Sequence, residues 1–188
     1  MLRLALILSL TGLSASAADF KALVGHGGPV MDAAVSADGR FALTGSFDNS
    51  VGYWELAGDK VVWLEGHEAA VKSVIFLEGG RAASAGDDFA DEIWDLDQGE
   101  RLHRLEGHRG QVNGLAESPD GKSLASASWD GNVRLWDIAS GQELFVLGGH
   151  GGAVSDVAFS ADGATLYSAS ADGTIRTWDV SSGEETRV

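Results

Sequence analysis

Apolar and polar residues alternate over short stretches of this chain, and turn-forming residues interrupt these stretches every few positions. Residues 124–137 are an example: they read LASASWDGNVRLWD, with Asp130-Gly131 between two alternating halves. Alternation with a period of two predicts β-strands, and an Asp-Gly pair accepts the positive φ of a tight hairpin turn. The pattern therefore predicts many short antiparallel strands, and no segment after the first residues sustains a helical period.

The N-terminal residues follow a different pattern. A positive start at Arg3 precedes an apolar run over residues 4–13, and Ala15-Ser16-Ala17 offers a small-residue cleavage site. This is the build of a secretory signal peptide, and the run is shorter than the roughly 20 apolar residues of a membrane-spanning helix. We expect residues 1–17 to be a signal peptide, residues 18–188 to form the mature domain without a membrane span, and the mature protein to be periplasmic or secreted.

Composition narrows the possible partners. The chain has 188 residues, a formal charge of −15, 26 glycines and no cysteine, and 44% of its residues are hydrophobic. The apolar content is enough for a packed core, and the glycines suit many tight turns. An acidic balance argues against nucleic-acid binding, which needs clustered Lys and Arg. Disulfides cannot contribute to stability.

Two dipeptides recur with the same period. Trp-Asp occurs three times, with Trp54-Glu55 as a related fourth copy, and Gly-His occurs four times; successive copies lie 40–42 residues apart. A period of about 40–45 residues that contains Gly-His and Trp-Asp is the signature of a β-propeller blade. We predict four units of four strands each, at residues 25–65, 66–106, 107–148 and 149–188.

This repeat resembles the WD-repeat β-propeller family, and exported bacterial WD-repeat proteins in particular. The resemblance implies an all-β propeller of four-stranded antiparallel blades. It also implies a buried, hydrogen-bonded tetrad of His, Ser or Thr, Asp and Trp in each blade. The four implied tetrads are His26, Thr44, Asp48 and Trp54; His67, Ser84, Asp88 and Trp94; His108, Ser126, Asp130 and Trp136; and His150, Ser168, Asp172 and Trp178.

The number of repeats does not match a closed ring of this family. WD-repeat propellers usually close with about seven blades, whereas this chain has four repeats. Residues 20–24 resemble a fourth strand without the three that should precede it, and residues 184–188 begin another. We expect an incomplete ring, a fragment that continues in a longer protein; the alternative is that copies of the chain associate.

The resemblance also implies a surface for binding a protein partner. In the family, the residue before the tetrad Asp tends to face the side where partners bind, and aromatic residues are enriched at the centres of interfaces. These residues are Phe47, Asp87, Trp129 and Ala171, and Glu68 and Arg109 follow Gly-His near the same rim. For Trp129, packing against the neighbouring blade is the alternative to binding.

Other patterns do not favour catalysis or metal binding. The Gly-His histidines lie in separate units, so they cannot converge on one ion. Asp87, Asp88, Asp91 and Glu92 form an acidic cluster that could hold a cation, but a solvated turn is the simpler reading because the spacing matches no calcium loop. We therefore expect no catalytic residue, no metal and no cofactor.

We expect a non-catalytic, protein-binding scaffold exported from the cytoplasm. One alternative is the propeller portion of a periplasmic c-type cytochrome whose haem module lies beyond this chain. A Cys-x-x-Cys-His segment would mark that module, and this chain has no cysteine. A propeller enzyme is a further alternative, and it would need polar residues that converge on the central channel.

Overall fold

The computed structural model describes residues 22–58 and 60–187. Within these ranges every regular element is a strand, so none of the described segments is a helix long and apolar enough to cross a membrane. The expected signal peptide at residues 1–17 lies outside the described residues. The strands form four antiparallel sheets of four, which confirms the predicted fold class.

In each sheet, consecutive strands are neighbours joined by hairpins, so each sheet is a simple meander. The first sheet contains β1 (Val30–Val35), β2 (Phe41–Ser46), β3 (Ser50–Glu55) and β4 (Val61–Glu65). The second contains β5 (Val71–Leu77), β6 (Arg81–Gly86), β7 (Ala90–Asp95) and β8 (Glu100–Glu106). The third contains β9 (Val112–Glu117), β10 (Ser123–Ser128), β11 (Asn132–Asp137) and β12 (Glu143–Gly148). The fourth contains β13 (Val154–Phe159), β14 (Thr165–Ser170), β15 (Ile175–Asp179) and β16 (Glu185–Arg187).

The hairpins between first and second strands depend on a small local network. In the first sheet, Ser36 Oγ donates a hydrogen bond to Asp38 Oδ1 at 2.7 Å, and Gly39 follows at a φ of +69°. The third and fourth sheets repeat this Ser-x-Asp-Gly turn. The second sheet uses Gly79 and Gly80, at φ of +75° and +73°, to make the same reversal with different residues.

The sheets stack face to face in chain order. The first strands β1, β5, β9 and β13 lie side by side, and an apolar cluster fills each of the three gaps between successive sheets. Each cluster contains the tetrad tryptophan of the later sheet, which is Trp94, Trp136 or Trp178. This arrangement is that of successive propeller blades, and no closed ring is formed by the described residues.

Two expectations about the chain ends have different outcomes. Residues 22–24 are not in a strand, so the prediction of a strand over residues 20–24 is wrong for the part that the structure describes. The predicted strand at residues 184–188 is present as β16, which has three residues.

Candidate binding surface

The third sheet shows how a tetrad joins two of its strands, the turn between them and the preceding loop. Trp136 Nε1–H donates to Ser126 Oγ at 2.9 Å, and the distance from this hydroxyl to His108 Nε2 is also 2.9 Å. His108 Nδ1 lies 3.0 Å from Asp130 Oδ2. A neutral imidazole that donates from Nδ1 and accepts at Nε2 satisfies every member of this chain.

The structure brings together all four residues of every predicted tetrad. The indole N–H to hydroxyl distance is 2.7 Å in the first sheet, 2.8 Å in the second and 2.9 Å in the fourth. The hydroxyl to imidazole distance is 2.7, 2.7 and 2.8 Å in the same order. The imidazole to carboxylate distance is 3.0, 3.0 and 2.9 Å.

Electrostatics favour an ionised Asp88 in the second sheet and a neutral His108 in the third sheet. Burial disfavours the Asp88 carboxylate, but hydrogen bonds from His67 and the Glu68 amide, together with the charge of Arg104, outweigh it and lower the pKa of Asp88 to about 2. In the third sheet, burial lowers the pKa of His108 despite the nearby Asp130. These two shifts favour the forms of Asp88 and His108 that suit their hydrogen bonds.

Each tetrad carboxylate also ties two loops to one edge of its sheet. Its second partner is the backbone amide of the residue after Gly-His, as in Arg109 N–H to Asp130 Oδ2 at 2.8 Å and Glu68 N–H to Asp88 Oδ2 at 3.1 Å. The turns between second and third strands therefore lie beside the Gly-His loops. We call this edge the turn rim; it comprises residues 46–49, 86–89, 128–131 and 170–173 with the residues after each Gly-His.

The predicted binding residues occupy the turn rim with different exposures. Phe47 is 55% exposed and Trp129 is 58% exposed, so more than half of each residue is open to solvent. Ala171, Glu68 and Arg109 are also exposed.

Asp87 is the partly buried member of the predicted set. Its carboxylate lies 3.4 Å from Lys72 Nζ, and Lys72 in turn lies 5.4 Å from the centre of the Phe47 ring. This cation–π contact joins the first and second sheets at the rim, and it holds the Phe47 ring in place.

Phe89 is a further rim aromatic that sequence reasoning missed. Its side chain is 44% exposed, and its backbone has a φ of +65°. The corresponding residues after the other tetrad Asp residues are Asn49, Gly131 and Gly173, also at positive φ. Asn and Gly tolerate this conformation, whereas a bulky residue there is strained. The signal in the sequence was an aromatic residue at a turn position that is Asn or Gly in every other unit.

The interpretation of the acidic cluster as a solvated turn is wrong for two of its members. Asp91 and Glu92 lie within β7 and are fully buried. Asp91 lies near Ser126 and Trp136 of the third sheet, and burial raises its pKa to about 7. Neither carboxyl oxygen of Asp91 has a hydrogen-bond partner among the described residues. The side chain therefore sits in the gap between two sheets.

Glu92 forms ion pairs close to the tetrad of the second sheet. It accepts hydrogen bonds from Arg101 Nη1 and Arg104 Nη1, both at 2.7 Å. The third and fourth sheets carry the opposite polarity, with Arg on the third strand and Glu on the fourth, in the pairs Arg134–Glu143 and Arg176–Glu185. The side chains of Asp91 and Glu92 therefore face neighbouring sheets and strands rather than solvent. Within residues 22–58 and 60–187, no three His, Asp or Glu side chains are grouped so as to hold a metal ion.

Comparison with known proteins identifies the repeat. The family model described as WD domain, G-beta repeat matches residues 19–55, 99–137 and 141–179, which together are more than half of the chain. It does not match residues 56–98, which include most of the second sheet with its Gly79-Gly80 turn. The tetrad geometry of that sheet is nevertheless the same as in the others.

Several curated proteins are similar to parts of this chain. The ribosome biogenesis protein WDR12 homolog of Drosophila persimilis is 31% identical over 100 residues, which are 49% of this chain and 24% of that protein. The homolog from Drosophila mojavensis is 30% identical over the same shares. Coronin-7 of Bos taurus is 45% identical over 64 residues, which are 33% of this chain and 7% of that protein. The matches span about a quarter or less of the length of these relatives. On the family match and the repeated tetrads, this chain belongs to the WD domain, G-beta repeat family.

Proposed function

We propose that this chain is a non-catalytic scaffold that binds a protein partner on the turn rim. The observation that carries the proposal is a row of exposed aromatic side chains on successive sheets, Phe47, Phe89 and Trp129. Exposed aromatic rings at corresponding turns are typical of interface centres, because their large apolar surface is desolvated when a partner binds.

The strained backbone at Phe89 supports the same function. A bulky residue at positive φ costs stability, and an exposed ring does little to offset that cost through burial. Glycine in the same place would relieve the strain, as in the third and fourth sheets. The presence of Phe89 is explained if the ring serves recognition rather than folding.

The tetrads explain why the rim can act as a rigid platform. Each one fixes a rim turn to the Gly-His loop through its carboxylate and to the sheet interior through the indole. A preformed surface loses little conformational freedom when a partner binds, and this favours affinity.

The test compares two triple variants for capture of proteins from an extract of the source cells. The first is Phe47→Ser, Phe89→Gly and Trp129→Ser. The matched control is Leu102→Ser, Leu144→Ser and Val146→Ser, which removes side chains of similar exposure from the outermost strands β8 and β12. We expect a captured protein that the control retains and the rim variant loses, with both variants folded by circular dichroism. Equal capture by both variants would overturn the proposal.

Export from the cytoplasm is a separate part of the proposal, and its support is the pattern of residues 1–17. Residues 1–25 fused to a reporter that is active only outside the cytoplasm would test it. An Arg3→Glu substitution that abolishes reporter activity supports export, and an inactive wild-type fusion contradicts it. No contact among the described residues supports the cytochrome alternative or the enzyme alternative, so we do not propose either.

A further inference from the structure

A cleft lies between the first and second sheets, at the edge of the stack opposite the turn rim. Residues of the turns that follow β1, β5 and β7 line it, together with side chains from the strands of both sheets. Its volume is about 600 Å³. Sites for small molecules usually measure about 300–1,000 Å³, so the cleft is large enough for a ligand of that kind.

Three aromatic side chains form the walls of the cleft. Phe41 and Tyr53 of the first sheet are stacked, with ring centres 5.1 Å apart and an interplanar angle of 28°. Phe76 of the second sheet meets Tyr53 edge-on, with ring centres 6.4 Å apart. All three residues are partly buried and line the cleft, so it offers aromatic surface to a ligand.

These aromatic residues are not a requirement of packing between sheets. Strand register aligns them with Arg81, Ile93 and Glu117 between the second and third sheets, and with Ser123, Leu135 and Phe159 between the third and fourth. The same place in the repeat thus accepts aliphatic and polar side chains. The aromatic walls are therefore a departure from the repeat at this one cleft.

Carboxylates surround the aromatic walls. Asp38, Glu78 and Asp97 are exposed residues of the lining, and Glu117 is a partly buried one. The lining also contains Arg81, whose Nε–H donates a hydrogen bond to the backbone carbonyl of Glu78 at 3.0 Å. Four carboxylates and one guanidinium give the cleft a negative balance of charge.

Two observations indicate that a cation is favoured at this edge. The guanidinium of Arg40, on a side chain that is 70% exposed, lies 5.2 Å from the centre of the Phe41 ring. Burial raises the pKa of Tyr53, and the negative charge of Asp97 adds to this rise while Arg40 opposes it. A cation in the cleft would be attracted both by the faces of the aromatic rings and by the carboxylates.

We propose that this cleft binds a small organic cation, an alkylammonium or arylammonium ion, with its charged group near Tyr53 and the carboxylate of Asp97. The apolar substituents of such an ion suit the aromatic walls, and its charge suits the carboxylates. A bare metal ion does not fit, because within residues 22–58 and 60–187 no three His, Asp or Glu side chains are grouped to hold one. This inference is independent of the proposed function, because the cleft and the turn rim lie at opposite edges.

NMR titration of the full chain with benzyltrimethylammonium tests the proposal, with the ring resonances of Tyr53 and Phe76 as the readout. We expect saturable shifts with a dissociation constant of about 1–10 mM. The neutral compound 3-phenylpropan-1-ol has a similar size and no charge. It should bind at least about threefold more weakly, because it lacks the attraction to the rings and carboxylates.

Two variants remove one ring and one carboxylate without a residue that is foreign to the repeat. Tyr53→Leu places the residue of Leu135 in the first sheet, and Asp97→Ala places the residue of Ala139 in the second. Each should raise the dissociation constant for benzyltrimethylammonium at least about threefold. Circular dichroism should show that both variants are folded.

Two matched variants serve as controls. Glu184→Ala removes an exposed carboxylate from the turn between β15 and β16, which corresponds to the turn of Asp97, and Trp129→Ser removes an exposed ring from the turn rim. Neither should change the dissociation constant. Absence of binding up to about 50 mM would overturn the proposal. Equal affinity for the neutral alcohol would also overturn it, as would unchanged affinity in Tyr53→Leu and Asp97→Ala.

Discussion

Asp91 of β7 occupies in the second sheet the position that Val133 of β11 occupies in the third. Both side chains are fully buried and face the tetrad tryptophan of the next sheet, Trp136 for Asp91 and Trp178 for Val133. Valine completes an apolar cluster there, whereas the Asp91 carboxyl has no hydrogen-bond partner among the described residues. The contact between the second and third sheets therefore contains a fully buried titratable group at a position that is Val51 or Val133 in the other two contacts.

Asp91→Val should stabilise the protein, and the gain should increase with pH. The pKa of Asp91 is about 7 in the folded protein, above its ordinary value of 3.8, because burial disfavours the charged form. A raised pKa means that folding favours the protonated carboxyl, so wild-type stability falls as pH rises from about 4 to 7. We expect the variant to be more stable by about 2–4 kcal/mol at pH 8 and by clearly less at pH 5.

Urea unfolding at several pH values measures this difference, and subtraction of the wild-type curve removes contributions from other titrating groups. Asp91→Asn serves as the control because it removes the charge and keeps the polar shape. It should remove the pH dependence with a smaller gain in stability. A gain from Asp91→Val that is the same at pH 5 and pH 8 would show that the carboxyl does not titrate in this range.

Trp136→Ala should destabilise the protein by about 3–5 kcal/mol, because it leaves a cavity and removes the donor to Ser126. Trp129→Ala is a matched control, since Trp129 lies in the turn between β10 and β11 of the same sheet and is 58% exposed. It should change the unfolding free energy by less than about 0.5 kcal/mol. An unchanged denaturation midpoint for Trp136→Ala would contradict the structural role of the tetrad.

Asp88→Asn should lower stability at neutral pH and have little effect in acid. The lowered pKa of Asp88, about 2, means that its carboxylate contributes stability above the unfolded pKa near 4, which is lost as pH falls towards 2. We expect a cost of about 1–2 kcal/mol at pH 7 that shrinks below pH 4. Asp97→Asn, at the exposed turn between β7 and β8, should show neither effect. A cost that persists undiminished at pH 2 would mean that the loss is not due to the charge.

Phe89→Gly should raise stability by about 1 kcal/mol, because glycine adopts a positive φ without strain and the exposed ring contributes little packing. Asn49→Gly, at the corresponding turn of the first sheet, should change stability by less, because Asn tolerates this conformation. Thermal unfolding of the two variants beside the wild type makes the comparison. If Phe89→Gly is less stable than wild type, the ring packs in the folded state and its role in recognition loses support.

Much of the fold follows from the sequence because the repeat aligns each unit with three others. Alternation in residues 124–137 predicts the hairpin of β10 and β11, and the fixed spacing from Ser126 to Asp130 and Trp136 predicts that these residues meet. A repeated pattern reports a repeated environment, so the most regular positions are the most predictable.

The departures from the repeat were harder to interpret. The local acidity of Asp91 and Glu92 suggests a solvated turn, although their positions relative to Trp94 place them inside β7. Phe89 was missed because no rule of local sequence indicates a bulky residue at positive φ. The partners of Glu92 on β8 depend on strand register, which local sequence does not specify.

The central claim, that the turn rim binds a protein partner, is tested most directly by photo-cross-linking from the rim itself. A benzophenone side chain placed at position 129 reports what lies against the rim, and the same group at position 102 on β8 reports the outermost strands. We predict a discrete cross-linked protein from position 129 in the source cells and none from position 102. Cross-linking to the same proteins from both positions, or none from position 129, would contradict the claim.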